Sequence, residues 1–397
     1  MEWKEVRLGD VCSELSDGLH KAPKFVKNGE YIFVNAKNLY NGYILDNDPT
    51  KKTSIEEYLK YNKPLGKHTI LYSIDGTIGN IAKYRGEKCV LGKGACYLNC
   101  NPDIVESSYI YYQLQSPHFK SYIHLMSTGS TIKHISLKTM RDYCFELPNL
   151  TDQRRIASIL SSLDRKIELN NKINAELEEM AQAIFKNWFV DFEPFKDGKF
   201  VESELGMIPE GWKVGSPYEY VKVVYGAPYK SAKFNDNGEG FPLIRIRDLK
   251  DCNPQFYTSE ILPQTEYINM GDIVAGMDAE FVPHIWKGKT GLLNQRVCKL
   301  MPQQTSISNL FVLYLMKPEL EFVQSYKTGT TVSHLGKADI DKFVVVLPPL
   351  EVIEECSKIL DSILQKMKNN SAETRTLSLL RDTLLPRLMS GELEVPE

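Results

Sequence analysis

No apolar run in this sequence approaches the roughly 18 residues of a membrane span, and the opening Met1-Glu2-Trp3-Lys4-Glu5 lacks the basic-then-apolar layout of a signal peptide. A cytoplasmic protein with no membrane partner is therefore expected. The eight cysteines are scattered and contain no Cys-x-x-Cys pair, so the expectation is packed free thiols and no metal site. Cys96 and Cys100 could form half of a zinc site, but no Cys/His pair nearby completes it. Gly-x-Gly-x-x-Gly, His-Glu-x-x-His and Gly-x-Ser-x-Gly are absent, as is the Asn/Asp-Pro-Pro-aromatic tetrapeptide that would hold a target amine. The nearest approach to a phosphate loop ends in Gly92-Lys93-Gly94, where Gly-Lys-Ser/Thr is required. With no catalytic set and no cofactor cradle, binding is the function class left standing.

What is present is length and repetition. At 397 residues the chain exceeds the size at which single cores usually stop growing, which favours two domains. Its 42% hydrophobic and 25% charged residues are those of an ordinary globular protein. The net charge of −3 is unevenly placed. Residues 1–150 carry 19 Lys and Arg against 16 Asp and Glu, and residues 212–350 carry 15 against 14, so both blocks are weakly basic. The acidity sits in 151–211 and 351–397. A balance this close permits a nucleic-acid partner without requiring one.

The repeat can be followed by eye. Thr128-Gly129-Ser130-Thr131-Ile132-Lys133-His134-Ile135 returns as Thr328-Gly329-Thr330-Thr331-Val332-Ser333-His334-Leu335. Leu147-Pro148-Asn149-Leu150 returns as Leu347-Pro348-Pro349-Leu350, and Ile70-Leu71-Tyr72-Ser73-Ile74-Asp75 as Ile273-Val274-Ala275-Gly276-Met277-Asp278. Trp3-Lys4 pairs with Trp212-Lys213. Within each copy, short apolar runs such as Tyr31–Val34 and Phe343–Val346 alternate with turn residues and read as strands. Helical patches over Tyr109 to Lys120 and Leu310 to Leu320 make each block α/β.

After each Leu-Pro the periodicity becomes helical. Ile156, Ile159, Leu163 and Ile167 lead across a polar Asn170-Asn171 to Ile173, Leu177, Met180, Ile184 and Trp188. In the second copy Ile359, Ile363, Met367, Leu377, Leu380, Leu384 and Leu388 mark the stripe, Asn369-Asn370 the polar break, and Pro386 a bent or frayed last turn. Spans from about 152 to 188 and from about 351 to 389 would be roughly 50 Å long at 1.5 Å per residue. Each could pack on its own block, but two such lengths bury their stripes most simply against each other, as an antiparallel coiled-coil pair whose asparagines fix the register. The handover Ile208-Pro209-Glu210-Gly211-Trp212 would be recreated by joining Val395-Pro396-Glu397 to Glu2-Trp3, which predicts neighbouring chain ends and a pseudo-twofold internal repeat. The expected fold class is α/β (α+β): two similar globular domains, 1–150 and 212–350, separated by long helices over 151–190 and 351–397, with a linker at 191–211.

Candidate binding residues cluster in turns. Ser130, Thr131, Lys133 and His134, with Thr330, Thr331 and His334, offer hydroxyls and cations suited to phosphate oxygens. The bland alternative is a turn whose hydroxyls satisfy its own backbone. A second group, His20 and Lys21 in one copy and Tyr229, Lys230 and Ser231 in the other, precedes strands followed by Asn35, Lys37 and Asn38 or by Arg245 and Arg247. Arginine and lysine match guanine edges and asparagine matches adenine, although any one of them alone reads as solvated surface.

Leu147-Pro148-Asn149-Leu150-Thr151-Asp152-Gln153-Arg154-Arg155-Ile156-Ala157 resembles the entry to the conserved spacer of type I restriction-modification specificity subunits. Ala183–Pro194 with Ile208–Lys213 resembles its exit, and Leu384–Leu393 the end of the second spacer. The second entry departs from the pattern, with Val352-Ile353 in place of Asp152-Gln153, which would loosen helix capping or partner contact there. The resemblance covers the whole chain. It implies two target recognition domains that each read half of a split double-stranded DNA site, with the helices fixing the gap. It further implies docking of two methyltransferase subunits and of restriction subunits, which would carry S-adenosylmethionine, ATP and Mg, leaving this chain without cofactor and without catalysis. The alternative readings are a two-lobed scaffold binding protein or RNA, or a nuclease or methyltransferase with a site assembled from distant residues.

Overall fold

The duplication seen in the sequence is a duplication of strand order. In the computed structural model, which describes residues 3–47, 50–129, 133–327 and 334–395, the chain packs as two compact units, Met1–Lys166 with Thr376–Glu397 and Ile167–Arg375. The first unit has an antiparallel four-stranded sheet in the order Cys12–Asp17, Ala95–Cys100, Thr69–Ser73, Ile81–Lys83. In the second unit the same order recurs as Val221–Tyr225, Val297–Pro302, Ile273–Gly276, His284–Ile285. Beside it, Tyr31–Val34 runs parallel to Cys89–Leu91, and Phe241–Ile244 runs parallel to Gly291–Leu293. The central strands are buried along their length, as in Tyr31–Val34 and Ile273–Gly276, which is why they read as continuous apolar runs with no alternation. Each unit closes with a short pair next to its Leu-Pro, Lys4–Arg7 with Cys144–Leu147 and Lys213–Gly215 with Val345–Leu347.

Both long helices form, over Leu150–Phe189 and Leu350–Met389, 40 residues each. The second stays helical through Pro386 to Met389, so the last turn is not frayed. A proline in the last turn forfeits one backbone bond, and here Leu385, Leu388 and Met389 are buried in the core of the first unit, which holds the turn in place. The apolar stripe also differs from the periodic reading, because Met180, Ile359 and Leu380 are exposed. Each helix changes partner along its length. In the first unit Ile156, Ala157 and Leu160 share a core with Leu385 and Leu388, while in the second Ala181, Phe185 and Phe189 pack with Phe311 and with Leu360 to Met367. Packing on the globular block and pairing of the helices therefore both occur.

The polar breaks meet. Asn170 Nδ2 donates to Glu373 Oε2 at 2.8 Å, Asn174 Nδ2 to Ser371 Oγ at 3.0 Å, and Asn370 Nδ2 to Asn174 Oδ1 at 2.9 Å. Rising numbers on one helix face falling numbers on the other, so the pair is antiparallel. Asn170, Asn174 and Asn370 are buried, whereas Asn171 and Asn369 face outward. Within the first unit Arg381 Nη1 reaches Asp164 Oδ1 at 2.9 Å, and the other carboxylate oxygen accepts from Tyr112 Oη at 2.7 Å.

The handover is built as the repeat implied. In the second unit Phe192 and Phe195 pack on Trp212, with ring centroids 5.3 and 5.1 Å away, and Phe200–Ser203 pairs with Gly206–Pro209 as a hairpin. In the first unit Trp3 packs beside Leu393 and Val395 and covers Gly391, whose positive φ of 72° and close approach to the indole both favour glycine. The missing glutamine is also compensated. Gln153, buried, accepts from Glu106 N–H at 2.8 Å and donates to the Pro148 carbonyl at 2.8 Å. In the second unit Ile353 is apolar core, and Ser357, one turn later, accepts from Ser308 N–H at 2.9 Å.

All eight cysteines are unpaired, and among the described residues no helix is long and apolar enough to cross a membrane. The asparagine layer generates a stability prediction. Asn174→Ala would orphan the Asn370 amide inside the helix pair and lower unfolding free energy by about 1–3 kcal/mol. Asn171→Ala, on the exposed side, should leave it unchanged, and equal urea midpoints for the two variants would refute the role given to the layer.

Candidate nucleic-acid interface

Five chain segments converge at one edge of each unit, and they are joined by main-chain bonds that do not depend on side-chain identity. In the first unit Leu19 pairs in parallel with Gly92; its N–H donates to the Leu91 carbonyl at 2.7 Å and its carbonyl accepts from Lys93 N–H at 2.9 Å. Gly92 N–H donates to the Val34 carbonyl at 2.8 Å, which brings in the Asn35–Asn38 turn. A side chain at Gly92 would collide with Asn35 Oδ1, 2.3 Å from where a Cβ would stand. Ile74 N–H donates to Gly94, Ile135 N–H to Ile74, and Gly76 N–H to Lys133. The turns carrying His20 and Lys21, Asn35 and Lys37, and Lys133 and His134 are thereby gathered on one rim. Lys21, Lys37 and Lys133 are exposed. His20 is exposed as well, its Nε2 lying 3.1 Å from Asp17 Oδ2.

The second unit repeats the stitching. Ala227 pairs with Asn294, Asn294 N–H donates to Ile244 at 3.3 Å, Met277 N–H to Arg296 at 2.9 Å and Leu335 N–H to Met277 at 2.7 Å. Arg245, Arg247 and His334 therefore belong to one rim. Lys230 and Ser231 are exposed but anchored elsewhere, since Lys230 N–H donates to Glu260 Oε2 at 2.9 Å and Lys233 Nζ to Glu260 Oε1 at 2.8 Å. Ser130, Thr131, Thr330 and Thr331 lie outside the described residues.

Three candidates need correction. Asn38 is only 1% exposed; its Oδ1 accepts from Asn35 N–H at 3.0 Å and its Nδ2 donates to the Leu45 carbonyl at 3.1 Å and Thr50 Oγ1 at 3.0 Å. It shapes the turn and cannot reach a ligand. Tyr229 is buried, with its hydroxyl bonded to Thr265 Oγ1 at 3.0 Å. Arg245 lies flat over the Phe256 ring, 4.2 Å from its centroid, with Nε and Nη2 turned inward and unbonded. Burial lowers its pKa, and burial likewise raises that of Asp248, whose Oδ2 stands 3.8 Å from Nε. Arg247, two residues on, is exposed.

The sequence reading missed a carboxylate at the centre of each rim. Asp75 forms a backbone bridge with His134 and Asp278 one with His334. Asp75 Oδ1 is 4.0 Å from His134 Nδ1 and its Oδ2 is 3.9 Å from Lys93 Nζ. Asp278 Oδ1 is 2.8 Å from His334 Nδ1 and its Oδ2 is 3.2 Å from Arg296 Nη1. The signal was available in the aligned runs ending in Asp75 and Asp278. The partnering cations were hidden because Lys93 and Arg296 occupy neighbouring, non-equivalent positions of the same turn. Among the described residues no cluster of three or more His, Cys, Asp or Glu side chains is placed to hold a metal.

Comparison with known proteins agrees with this duplicated arrangement. The sequence profile of the type I restriction modification DNA specificity domain matches twice, over residues 1–179 and 209–377. The chain belongs to the specificity subunits of type I restriction-modification systems. It is 28% identical to the type I restriction enzyme MjaIX specificity subunit of Methanocaldococcus jannaschii, an alignment covering 94% of this chain and 86% of that one. It is 24% identical to the HindI specificity subunit of Haemophilus influenzae, over 99% of this chain and the whole of the other. Among solved structures, the S subunit from M. genitalium superposes with a TM-score of 0.58 over 98% of this chain and 96% of that one, at 16% identity, which is agreement in fold. The split between buried and exposed candidates separates turn-building residues from solvent-facing ones. Asn38→Ala should cost about 1–3 kcal/mol by leaving the Asn35 N–H and the Leu45 carbonyl unbonded. Lys37→Ala should stay within about 0.5 kcal/mol of the parent. Urea denaturation of both variants checks this, and equal losses would remove the distinction.

Proposed function

We propose that each unit of this specificity subunit reads one half of a bipartite double-stranded DNA site and that the paired long helices set the gap between the halves. The observation that carries this reading is one backbone scaffold holding unlike side chains at matching points: Lys37 against Arg247, with Asn35 opposite the ring-stacked Arg245. A shared scaffold with different donors and acceptors is what two different half-sites require. Helices of 40 residues, about 60 Å at 1.5 Å per residue, with a buried polar layer fixing their register, suit a spacer of constant length.

In this reading the chain is non-catalytic. Two methyltransferase subunits docked on it supply S-adenosylmethionine and flip the target adenine for methylation, while restriction subunits supply ATP- and Mg-dependent cleavage. DNA is met in the cytoplasm. A protein- or RNA-binding scaffold is the competing account. Mixed with a cognate methyltransferase subunit at moderate salt, the chain should prefer one split sequence over competitor DNA; absence of any preference would hand the case to the scaffold.

Two predictions refine the reading. Arg247→Ala should relax base preference at one half-site by about 1–3 kcal/mol and leave the other intact, whereas equal weakening on all sequences would assign Arg247 to phosphate. Inserting one matched four-residue turn after Lys166 and after Arg375 should widen the preferred gap by about one to two base pairs, given 1.5 Å per residue and about 3.4 Å per base pair. Methylation mapping with the lengthened subunit reads the gap directly, and an unchanged gap would overturn the spacer role.

A further inference from the structure

We propose that Asp75 and Asp278 are positioning residues, each holding a histidine and a basic side chain side by side at the rim of its unit for contact with DNA. The inference rests on the DNA-reading function proposed above. It begins from a grouping of carboxylate, histidine and cation that occurs twice. Around Asp278, Oδ1 is 2.8 Å from His334 Nδ1 and the guanidinium reaches both oxygens, Arg296 Nη1 lying 3.2 Å from Oδ2 and 3.4 Å from Oδ1. Around Asp75 the same pair of groups stands further off, His134 Nδ1 at 4.0 Å and without a hydrogen bond, Lys93 Nζ at 3.9 Å. The cation is a lysine in one unit and an arginine from the next position of the turn in the other, yet it arrives beside the equivalent carboxylate. A charge arrangement kept while the residue and its position change is a constraint on charge placement.

Stability does not explain the arrangement. The backbone bridges between Asp75 and His134 and between Asp278 and His334 already close the loops, and Lys327 Nζ adds a bond to the His334 carbonyl at 2.8 Å while pairing with Asp339 at 2.6 Å. The histidine and cation side chains are all 40–55% exposed, and ion pairs of that kind contribute little to folding. What the carboxylate does is orient. An ionised carboxylate only accepts, so its bond to Nδ1 places the ring proton there and leaves Nε2 as the remaining polar atom of His334. Neutral, that atom is an acceptor for the exocyclic amine of adenine or cytosine; the adjacent guanidinium or ammonium supplies donors for guanine or phosphate. The carboxylate also cancels the cation's charge until DNA is aligned with it, which suppresses sequence-independent attraction.

The test uses the complex with its methyltransferase subunits, a library randomised at each half-site, and a salt titration. Asp278→Asn keeps the side-chain shape but removes the charge. Discrimination at the half-site read by the second unit should fall by about tenfold, the first half-site should be unaffected, and the slope of log affinity against log salt should steepen by about 0.9 for the one released cation. Arg296→Met, which keeps the carboxylate, should make the slope shallower by about the same amount. Asp75→Asn should produce the reciprocal loss at the other half-site. Opposite slope changes cannot come from a folding defect. Equal losses on cognate and competitor DNA with unchanged slopes, or no change at all, would overturn the proposal while the wild-type complex keeps its preference. A wild-type complex without sequence preference would instead remove the underlying reading and this proposal with it.

Discussion

An asparagine side chain buried between two helices must find a partner, and it finds one at a single register. Asn170, Asn174 and Asn370 form such a layer with Glu373 and Ser371, and sliding one helix past the other by a turn would break this set of bonds. An unsatisfied buried polar group costs about 1–3 kcal/mol, so a slip that orphans several amides at once is strongly disfavoured. Leucines alone would pair the helices more tightly and specify them less. A polar layer gives up some stability to fix alignment, the use for which buried polar groups in coiled coils are best attested.

The two copies of the repeat show which parts of the design are geometric and which are chemical. Strand order, the parallel pairing at the centre of each unit and the main-chain stitches at the rim recur although the sequence has diverged. Where an interaction is structural, a lost residue is replaced by another that makes the same bond: Ser357 bonds the Ser308 N–H in the second unit, as Gln153 bonds the Glu106 N–H in the first. The substitution of Val352-Ile353 for Asp152-Gln153 therefore leaves that attachment closed by a different side chain. At the rim the opposite holds, because Asn35 and Arg245 occupy the same turn and share no chemistry. Divergence concentrated where the backbone is invariant is the pattern of a scaffold that presents contacts.

Periodicity and repetition carried most of the architecture. The long helices, their antiparallel pairing and the handover around Trp212 and Trp3 were legible, because each depends on local pattern or on matching segments. Of the asparagine layer Asn170 and Asn370 were legible, whereas Asn171 and Asn369 face outward and Asn174 was missed. The exposed Met180, Ile359 and Leu380 were misread because a stripe drawn with one period assumes one partner along the helix, whereas these helices pack on a sheet-and-helix core at their ends and on each other between. Asn38 and Tyr229 look like ligands in a string of letters. Only the fold shows that Asn38 ties a turn to Leu45 and Thr50 and that Tyr229 is enclosed beside Thr265. Asp75 and Asp278 were visible as aligned residues, but their partners come from turns distant in sequence and shifted by one position, which spacing alone does not reveal.

A net charge of −3 is small for a chain that must engage a polyanion, and the rim explains how the two are compatible. Sequence-independent affinity grows with each cation free to meet a phosphate, so a reader crowded with unpaired lysines binds everywhere and must find its site against that background. Here Lys93 and Arg296 each face a carboxylate, Arg245 is folded onto Phe256, and the acidic surplus lies in the 191–211 linker and in residues 390–397, outside the charge-balanced helices. On the proposed DNA-reading function, this pairing would lower attraction to arbitrary DNA, leaving it to the exposed Lys21, Lys37, Lys133 and Arg247. Discrimination must then come from contacts that become favourable only when the correct base edge replaces an internal partner. If the proposed reading holds, a specificity subunit built this way would gain little from charge alone, and its affinity for DNA would depend on base contacts and on the subunits assembled with it.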